Sequence, residues 1–335
     1  MKFTIVGAGA IGGYLGARLA LAGHEVAFLA RGRNLEAISS GGFTLVEEDG
    51  TERHAANVRA VATVAEAGEA DAVLLTVKAH QVADLLPGLK DGLGPQTMLV
   101  TMVNGVPWWY FQRLEGPWQG RVLESVDPGG VLAAAFDPGC LVGSVVYPAA
   151  ELVAPGRVRV IEGNRFSLGE LDGQRSARVE ALSQALMSAG FKAPVARDIR
   201  GELWVKLWGN LSFNPISALT HATLEDICRD PSTRELARRM MAEGQAVAEA
   251  LGVRFRITLE QRLAGAEAVG AHKTSMLQDV EAGRGLELAA LVGAVIELGQ
   301  VTGVPTPNIE AVHAATALLA RTLAAGGSRL RPEPA

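Results

Sequence analysis

Six residues near the amino terminus constrain this chain more than any other feature. Gly7-Ala8-Gly9-Ala10-Ile11-Gly12 is a G-x-G-x-x-G. It follows a short apolar run, Phe3-Thr4-Ile5-Val6, and opens a stretch, Ile11 to Ala22, with small and apolar residues at helical spacing. A chain with 39 glycines produces such a pattern easily by chance. Placed between a strand and a helix it has a physical meaning. The glycines let the backbone approach a pyrophosphate closely, and the free N–H groups at the positive end of the helix receive its charge. The expected fold is therefore α/β, a Rossmann-type doubly wound domain at the amino terminus.

The next segments extend that pattern. Glu25 to Leu29, Ala72 to Val77 and Met98 to Val103 are apolar runs of the kind found in parallel strands covered on both faces. Phe43 to Arg53, with Asp49-Gly50 at its tip, reads as a hairpin. Beyond Gly129 come shorter pieces, Leu141 to Val146, Arg157 to Ile161 and Phe166 to Leu168, separated by Pro-Gly and Gly-Asn turns. They predict an antiparallel extension of the sheet, and a helix follows from about Arg175 to Ala189. From about Arg197 onward strand signals cease. Amphipathic stretches follow at Glu202–Ser217, Ser232–Leu251, Leu286–Gln300 and Ile309–Ala324. The predicted organisation is a dinucleotide-binding domain over residues 1–196, an all-helical C-terminal domain over 197–326 and a polar tail over 327–335.

Composition narrows the function. A net charge of −5 argues against a general binder of nucleic acid or of acidic membranes. Cys140 and Cys228 make neither a disulfide framework nor a zinc spacing, and the six histidines are scattered, so no metal site is expected. Met1-Lys2 and the apolar run after it imitate a signal peptide only superficially, because glycines and then Arg18 interrupt it. No segment reads as a membrane span, and the expected location is the cytoplasm.

The second strand ends Phe28-Leu29-Ala30-Arg31. An NAD enzyme would carry an acid there to hold the ribose 2′-hydroxyl, whereas a guanidinium can bind a 2′-phosphate. NADPH/NADP+ is thus the expected cofactor, although Arg31 also has a plainer reading as a solvated strand-end charge. Lys78 follows the next strand, at an edge where ligands of open sheets bind, and Asn104-Gly105 occupies the equivalent edge one strand further on. Either pair can also be turn chemistry.

Glu202-Leu-Trp-Val-Lys206-Leu-Trp-Gly-Asn210-Leu-Ser-Phe-Asn214-Pro is the most informative segment beyond the glycine turn. Its helix is apolar almost all round, yet Lys206, Asn210 and Asn214 fall at i, i+4 and i+8 on one stripe. The chain has only six lysines, which makes one inside an apolar helix conspicuous. Desolvation lowers a lysine pKa towards neutrality, so Lys206 can donate a proton while a carbonyl receives hydride, with the amides orienting the substrate. A lysine snorkelling out of the helix is the plainer alternative. Glu287 is a natural carboxylate partner for that ammonium, though singly it reads as an ordinary acid at a helix start. Ser275 could hold a substrate carboxylate.

With these segments placed, the whole chain resembles the ketopantoate reductase family. The resemblance rests on Gly7 to Gly13, Val77-Lys78-Ala79, Asn104-Gly105, the Glu202 to Pro215 segment, and Ser275-Met276-Leu277-Gln278-Asp279 followed by Glu287. It implies NADPH-dependent reduction of a small-molecule 2-keto acid, with ketopantoate to pantoate as the defining reaction. It further implies Lys206 as general acid with Glu287 as its partner, and Asn104, Asn210, Asn214 and Ser275 as substrate ligands. Lys78 and the Asn104 edge would lie near the cofactor. Val106-Pro107-Trp108-Trp109-Tyr110-Phe111 departs from the pattern by its aromatic content in the loop that the resemblance places beside the substrate, where it could narrow or reshape the pocket. Two alternatives stay open: the same machinery acting on a bulkier 2-keto acid, and a non-catalytic NADPH-binding sensor. A homodimer paired through the helical domain is a candidate assembly alongside a monomer.

Overall fold

The computed structural model describes residues 1–326, so the predicted polar tail lies outside the described residues. The described residues form two compact units. The first holds Met1–Val103, Pro107–Val122 and Asp127–Glu202, and the second Asn104–Val106, Leu123–Val126 and the chain from Leu203. The dividing line thus falls at Glu202/Leu203 rather than ahead of Arg197. Two short loop segments group with the second unit although the sequence around them belongs to the first.

In the first unit the chain runs β1 (Lys2–Val6), α1 (Ala10–Leu21), β2 (Glu25–Leu29), α2 (Gly32–Gly41), β3 (Phe43–Val46), β4 (Glu52–Ala55), β5 (Val58–Val61) and α3 (Val64–Ala67). It continues with β6 (Ala72–Leu75), α4 (Val82–Asp91), β7 (Met98–Thr101), α5 (Val131–Ala135), β8 (Leu141–Val146), β9 (Ala149–Ala154), β10 (Arg157–Glu162), β11 (Phe166–Glu170) and α6 (Ala177–Ser188). Seven strands form one sheet in the order β11-β8-β7-β6-β1-β2-β5. Every pairing in it is parallel except β11 with β8. The strand order reverses at β1, so the glycine turn leaves the sheet at its topological switch point.

The expected antiparallel extension is corrected in two respects. β8 is parallel to β7, and only β11 extends the sheet in the antiparallel sense. β9 and β10 instead join the Phe43 hairpin in a second, four-stranded sheet, β4-β3-β10-β9. The cause lies in α1, which buries Gly12, Gly13, Tyr14, Leu15, Gly16, Ala17 and Leu19, more than one sheet face can cover. Its glycines admit aromatic rings: a Cβ on Gly16 would lie 2.4 Å from the Phe28 ring of the large sheet, and one on Gly13 2.4 Å from the Phe43 ring of the small one. Phe28 and Phe43 stack with centroids 5.0 Å apart, and one apolar core includes α1 and strands of both sheets.

The second unit is helical: the body of α7 (Ile199–Thr220), then α8 (Leu224–Arg229), α9 (Pro231–Ala250), α10 (Leu259–Ala268), α11 (Ser275–Glu281), α12 (Ala294–Thr302) and α13 (Pro307–Gly326). A π-helical turn, Ala289–Gly293, runs directly into α12. α7 is the central element, with Trp204, Leu207, Trp208, Leu211, Phe213 and Ile216 all buried. The Trp208 indole N–H donates to Met241 O on α9 at 2.6 Å. Glu243 of α9 accepts the Asn308 and Ile309 N–H groups at 3.0 and 2.9 Å, capping the start of α13. Among the described residues no helix is long and apolar enough to cross a membrane.

Candidate functional site: a glycine-rich turn and a lysine–asparagine–glutamate cluster

The glycine turn is shaped by three different demands. A Cβ on Gly7 (φ +108°) would meet Val77 Cγ1 at 2.7 Å, and one on Gly12 would stand 2.0 Å from Gly7 O and 2.4 Å from Thr76 Oγ1. These two glycines let the turn and α1 close onto the end of β6. Gly9 is different, because nothing lies within 4 Å of its Cβ position. It is also the N-cap of α1 and offers no side-chain cap.

The turn's carbonyls are already engaged. Thr76 Oγ1 lies 2.8 Å from Gly7 O, and Asn34 Nδ2 donates to Ala8 O at 2.5 Å. What remains for a ligand at Gly7, Ala8, Gly9, Ala10, Ile11 and Gly12 is open space and the N–H end of a helix, which suits the pyrophosphate of a dinucleotide. Arg31, exposed two residues beyond β2, is the N-cap residue of α2. Lys78 is half-buried just beyond β6, and its backbone N–H donates to Gln81 Oε1 at 3.1 Å.

Asn34 and Thr76 are the residues that sequence reading missed. Asn34 also accepts the Gly156 N–H at 2.7 Å, tying the glycine turn to the β9–β10 turn of the second sheet. Thr76 was visible as a lone hydroxyl at the end of an apolar strand. Asn34 had no signal of its own, because both its partners are distant in sequence.

The second unit holds the other predicted residues. α7 presents Lys206, Asn210 and Asn214 along one stripe, as the spacing predicts. Lys206 Nζ donates to Asn104 Oδ1 at 2.5 Å. Burial lowers the Lys206 ammonium from its usual 10.5 to about 8, while the Glu287 carboxylate pulls in the opposite direction. Glu287 is half-buried and stands immediately before the helical turns that lead to α12. Asn214 is buried, and its Nδ2 donates to Ser275 Oγ at 3.4 Å. Ser275 is exposed at the start of α11, which Thr274 caps by accepting the Leu277 N–H. Asn210 lies half-buried between the two pairs. Lys206, Asn104 and Glu287 are therefore one cluster, and Asn214 and Ser275 a second pair on the same helix face.

The Glu202 carboxylate, one turn before Lys206, anchors the start of α7 within the first unit. Its Oε2 accepts from Arg165 at 3.0 Å, Ser167 at 3.0 Å and Tyr147 at 3.3 Å.

Asn104, expected at the cofactor-side edge of the sheet as well as at the substrate, follows β7 in sequence and groups with the helical unit, where it accepts from Lys206. One expectation is corrected. The Trp108-Trp109-Tyr110-Phe111 run, expected in a loop bordering the substrate, is packed into the core of the first unit, and all four are at most 4% exposed. Trp109 donates to Thr101 Oγ1 at 2.7 Å and lies against Gly143, where a Cβ would come 2.9 Å from its ring. The Arg200 guanidinium sits over the Trp109 and Tyr110 rings and donates to the carbonyls of Tyr110, Leu171 and Gln112. Among the described residues no group of three or more His, Cys, Asp or Glu could hold a metal ion.

The chain is similar to known proteins along most of its length. Residues 3–108 match the family model described as Ketopantoate reductase PanE/ApbA, and residues 198–320 match Ketopantoate reductase PanE/ApbA C terminal. A 2-dehydropantoate 2-reductase of Mesorhizobium japonicum is 55% identical over 321 residues, covering 96% of this chain and 98% of that protein. One from Archaeoglobus fulgidus is 30% identical over 90% of this chain and 92% of its own length. Among solved structures, a Ralstonia solanacearum MolK2 protein assigned as a ketopantoate reductase superposes with a TM-score of 0.91 at 42% identity, over 96% of this chain and 98% of that one. With both family models matched in order and relatives this similar across nearly its whole length, the chain belongs to the ketopantoate reductase family.

Proposed function

We propose that this chain is an NADPH-dependent 2-dehydropantoate 2-reductase, converting ketopantoate to pantoate. The observation that carries the reading is a lysine with a lowered pKa, held by an asparagine carbonyl and balanced by a carboxylate, in a chain whose other unit carries an open glycine turn and a strand-end arginine. In this reading the first unit holds the cofactor and the second the keto acid. The glycine turn receives the pyrophosphate, Arg31 the 2′-phosphate, and Lys78 lies near the cofactor. NADPH, when bound, supplies the hydride that adds to C2 of the keto acid.

Lys206 gives a proton to the carbonyl oxygen as its C=O π bond breaks, so the product is the 2-hydroxy acid and the lysine is left neutral. Asn104 fixes where the Nζ proton points. Glu287 keeps the ammonium charged until it is needed. Asn210, Asn214 and Ser275 orient the substrate's carboxylate and hydroxyl groups by hydrogen bonds that add no negative charge.

The acid must be protonated to act, and its pKa is lowered, so the form that works is lost as pH rises through about 8. The kcat/KM for reduction, which follows the free enzyme, is expected to be flat below that point and to fall tenfold per pH unit well above it. A limb near the ordinary lysine value would remove Lys206 from this role. Asn34→Ala, which frees the Ala8 carbonyl and Gly156 amide, is expected to raise the NADPH Kd several-fold with kcat kept, at about 1 kcal/mol per net hydrogen bond. Fluorescence titration of NADPH checks it.

Steady-state NADPH oxidation with ketopantoate and a panel of other 2-keto acids tests the function itself. Ketopantoate should be the best substrate, with pantoate formed one for one with NADP+. A clear preference for an aryl acid such as phenylglyoxylate would overturn the pantoate assignment, and NADPH binding without turnover on any acid would favour a sensor. Free Cys140 and Cys228 fit a reducing compartment, and we assign the enzyme to the cytoplasm. A homodimer is the assembly to look for by light scattering.

A further inference from the structure

Asn104, whose side-chain Oδ1 accepts from Lys206 Nζ, stands in a loop whose backbone meets an irregularity in a helix. Ahead of α12 the Ala294 N–H donates to Ala289 O, five residues back. Its regular acceptor, four residues back, would be Ala290 O. Ala290 O accepts instead from outside the helix, taking the Val106 N–H at 2.8 Å. Between Asn104 and Val106 stands Gly105 at φ +83°, where a Cβ would lie 2.4 Å from Ala290 O and 2.9 Å from Ala290 Cβ. Only a glycine admits this approach and this backbone conformation together.

The same helix closes the other end of the loop. Glu297 of α12 accepts the Glu124 and Ser125 N–H groups, each at 2.8 Å, and the Ser125 hydroxyl at 2.6 Å. Both short segments that leave the first unit's sequence, Asn104–Val106 and Leu123–Val126, are thus gripped by one stretch, Ala290 to Glu297. Glu287 lies one turn before the first grip, and its carbonyl accepts the Leu291 N–H.

We propose that the π-helical turn at Ala289–Gly293 is a positioning device for proton transfer: the carbonyl it releases clamps the Gly105–Val106 backbone and so sets Asn104 against the Lys206 ammonium in register with Glu287. Gly105 and Ala290 are positioning residues that act through Asn104. The inference rests on Lys206 being the proton donor and adds to that reading the element that aligns it. A helix extra turn-width at this point is otherwise a cost in hydrogen-bond geometry.

Gly105→Ala in the full-length enzyme tests it. The expected result is a kcat/KM lower by about tenfold, since small misplacements of a reacting group cost this much or more. NADPH affinity should be unchanged. The basic limb of the pH profile should move below its wild-type position, because the ammonium loses the carbonyl that favours its charged form. The same shift is expected for Asn104→Ala, and the double variant Asn104→Ala/Gly105→Ala should lose no more than Asn104→Ala alone. Additive losses, or a Gly105→Ala profile with an unmoved limb, would overturn the clamp.

Hydrogen exchange on the wild-type enzyme decides the matter even if Gly105→Ala does not fold. The Val106 amide should be protected to the level of the α12 amides, and exchange at the rate of an open loop would overturn the proposal. A silent Lys206→Ala would strike the proton-donor reading and the clamp with it, whereas a silent Asn104→Ala, additivity or an unprotected Val106 strikes the clamp alone.

Discussion

Lys206→Ala is expected to lower kcat for keto acid reduction by about 10² or more, the usual loss when a positioned proton donor is removed. NADPH binding should persist, because the glycine turn and Arg31 belong to the other unit. The loss should appear in kcat more than in KM, since the proton is delivered only as charge develops on the carbonyl oxygen. Burial makes the effect large: an alanine leaves Glu287 facing a site from which the balancing ammonium has gone, and Asn104 Oδ1 loses the donor it now accepts from. Lys206→Arg should not restore the rate, because a guanidinium holds its proton too firmly to release it and presents a planar fork in place of a compact ammonium. Turnover within twofold of wild type in Lys206→Ala would discard this residue as the acid.

Arg31→Ala is expected to weaken NADPH by about 10- to 100-fold, from about 1.5–3 kcal/mol for hydrogen bonds to a charged group. NADH binding should change little, because it has no 2′-phosphate. Arg31 is exposed and stands two residues beyond β2, at the N-cap of α2, so its removal leaves no buried partner unsatisfied and the fold intact. Parallel titrations with the two coenzymes measure the difference directly. Equal weakening of both would show that Arg31 does not read the phosphate and would undo the coenzyme assignment.

Much of this architecture is legible in local spacing. Phe3 to Gly12 specify strand, turn and helix by nearest neighbours alone, and β2 begins and ends where its apolar run does. The Lys206, Asn210, Asn214 stripe follows from helical periodicity once α7 is recognised, since residues four apart must share a face. Of the strands after Gly129, β8, β10 and β11 are legible as strands but not in their pairing, and β9 is not legible at all. An apolar run shows that it needs a partner, not which one. The parallel β3–β10 pairing depends on what covers the outer face of α1.

The aromatic run at Trp108 shows the same limit from the other side. Large apolar side chains suit a pocket wall and a core equally well. Here Gly143 and Gly169 leave room beside β8 and β11 that Trp109 and Ile199 fill, so the run is core. Nor could spacing reveal that Asn104 and Lys206, 102 residues apart, would meet, or that Asn34 would brace the glycine turn. Residue types and short-range periodicity identify which groups can carry the chemistry, because propensity and helix or strand period act over a few residues. Which groups face one another is a matter of long-range packing and hydrogen-bond satisfaction. That is settled here by a second sheet over α1 and by a helix whose displaced carbonyl holds a distant loop.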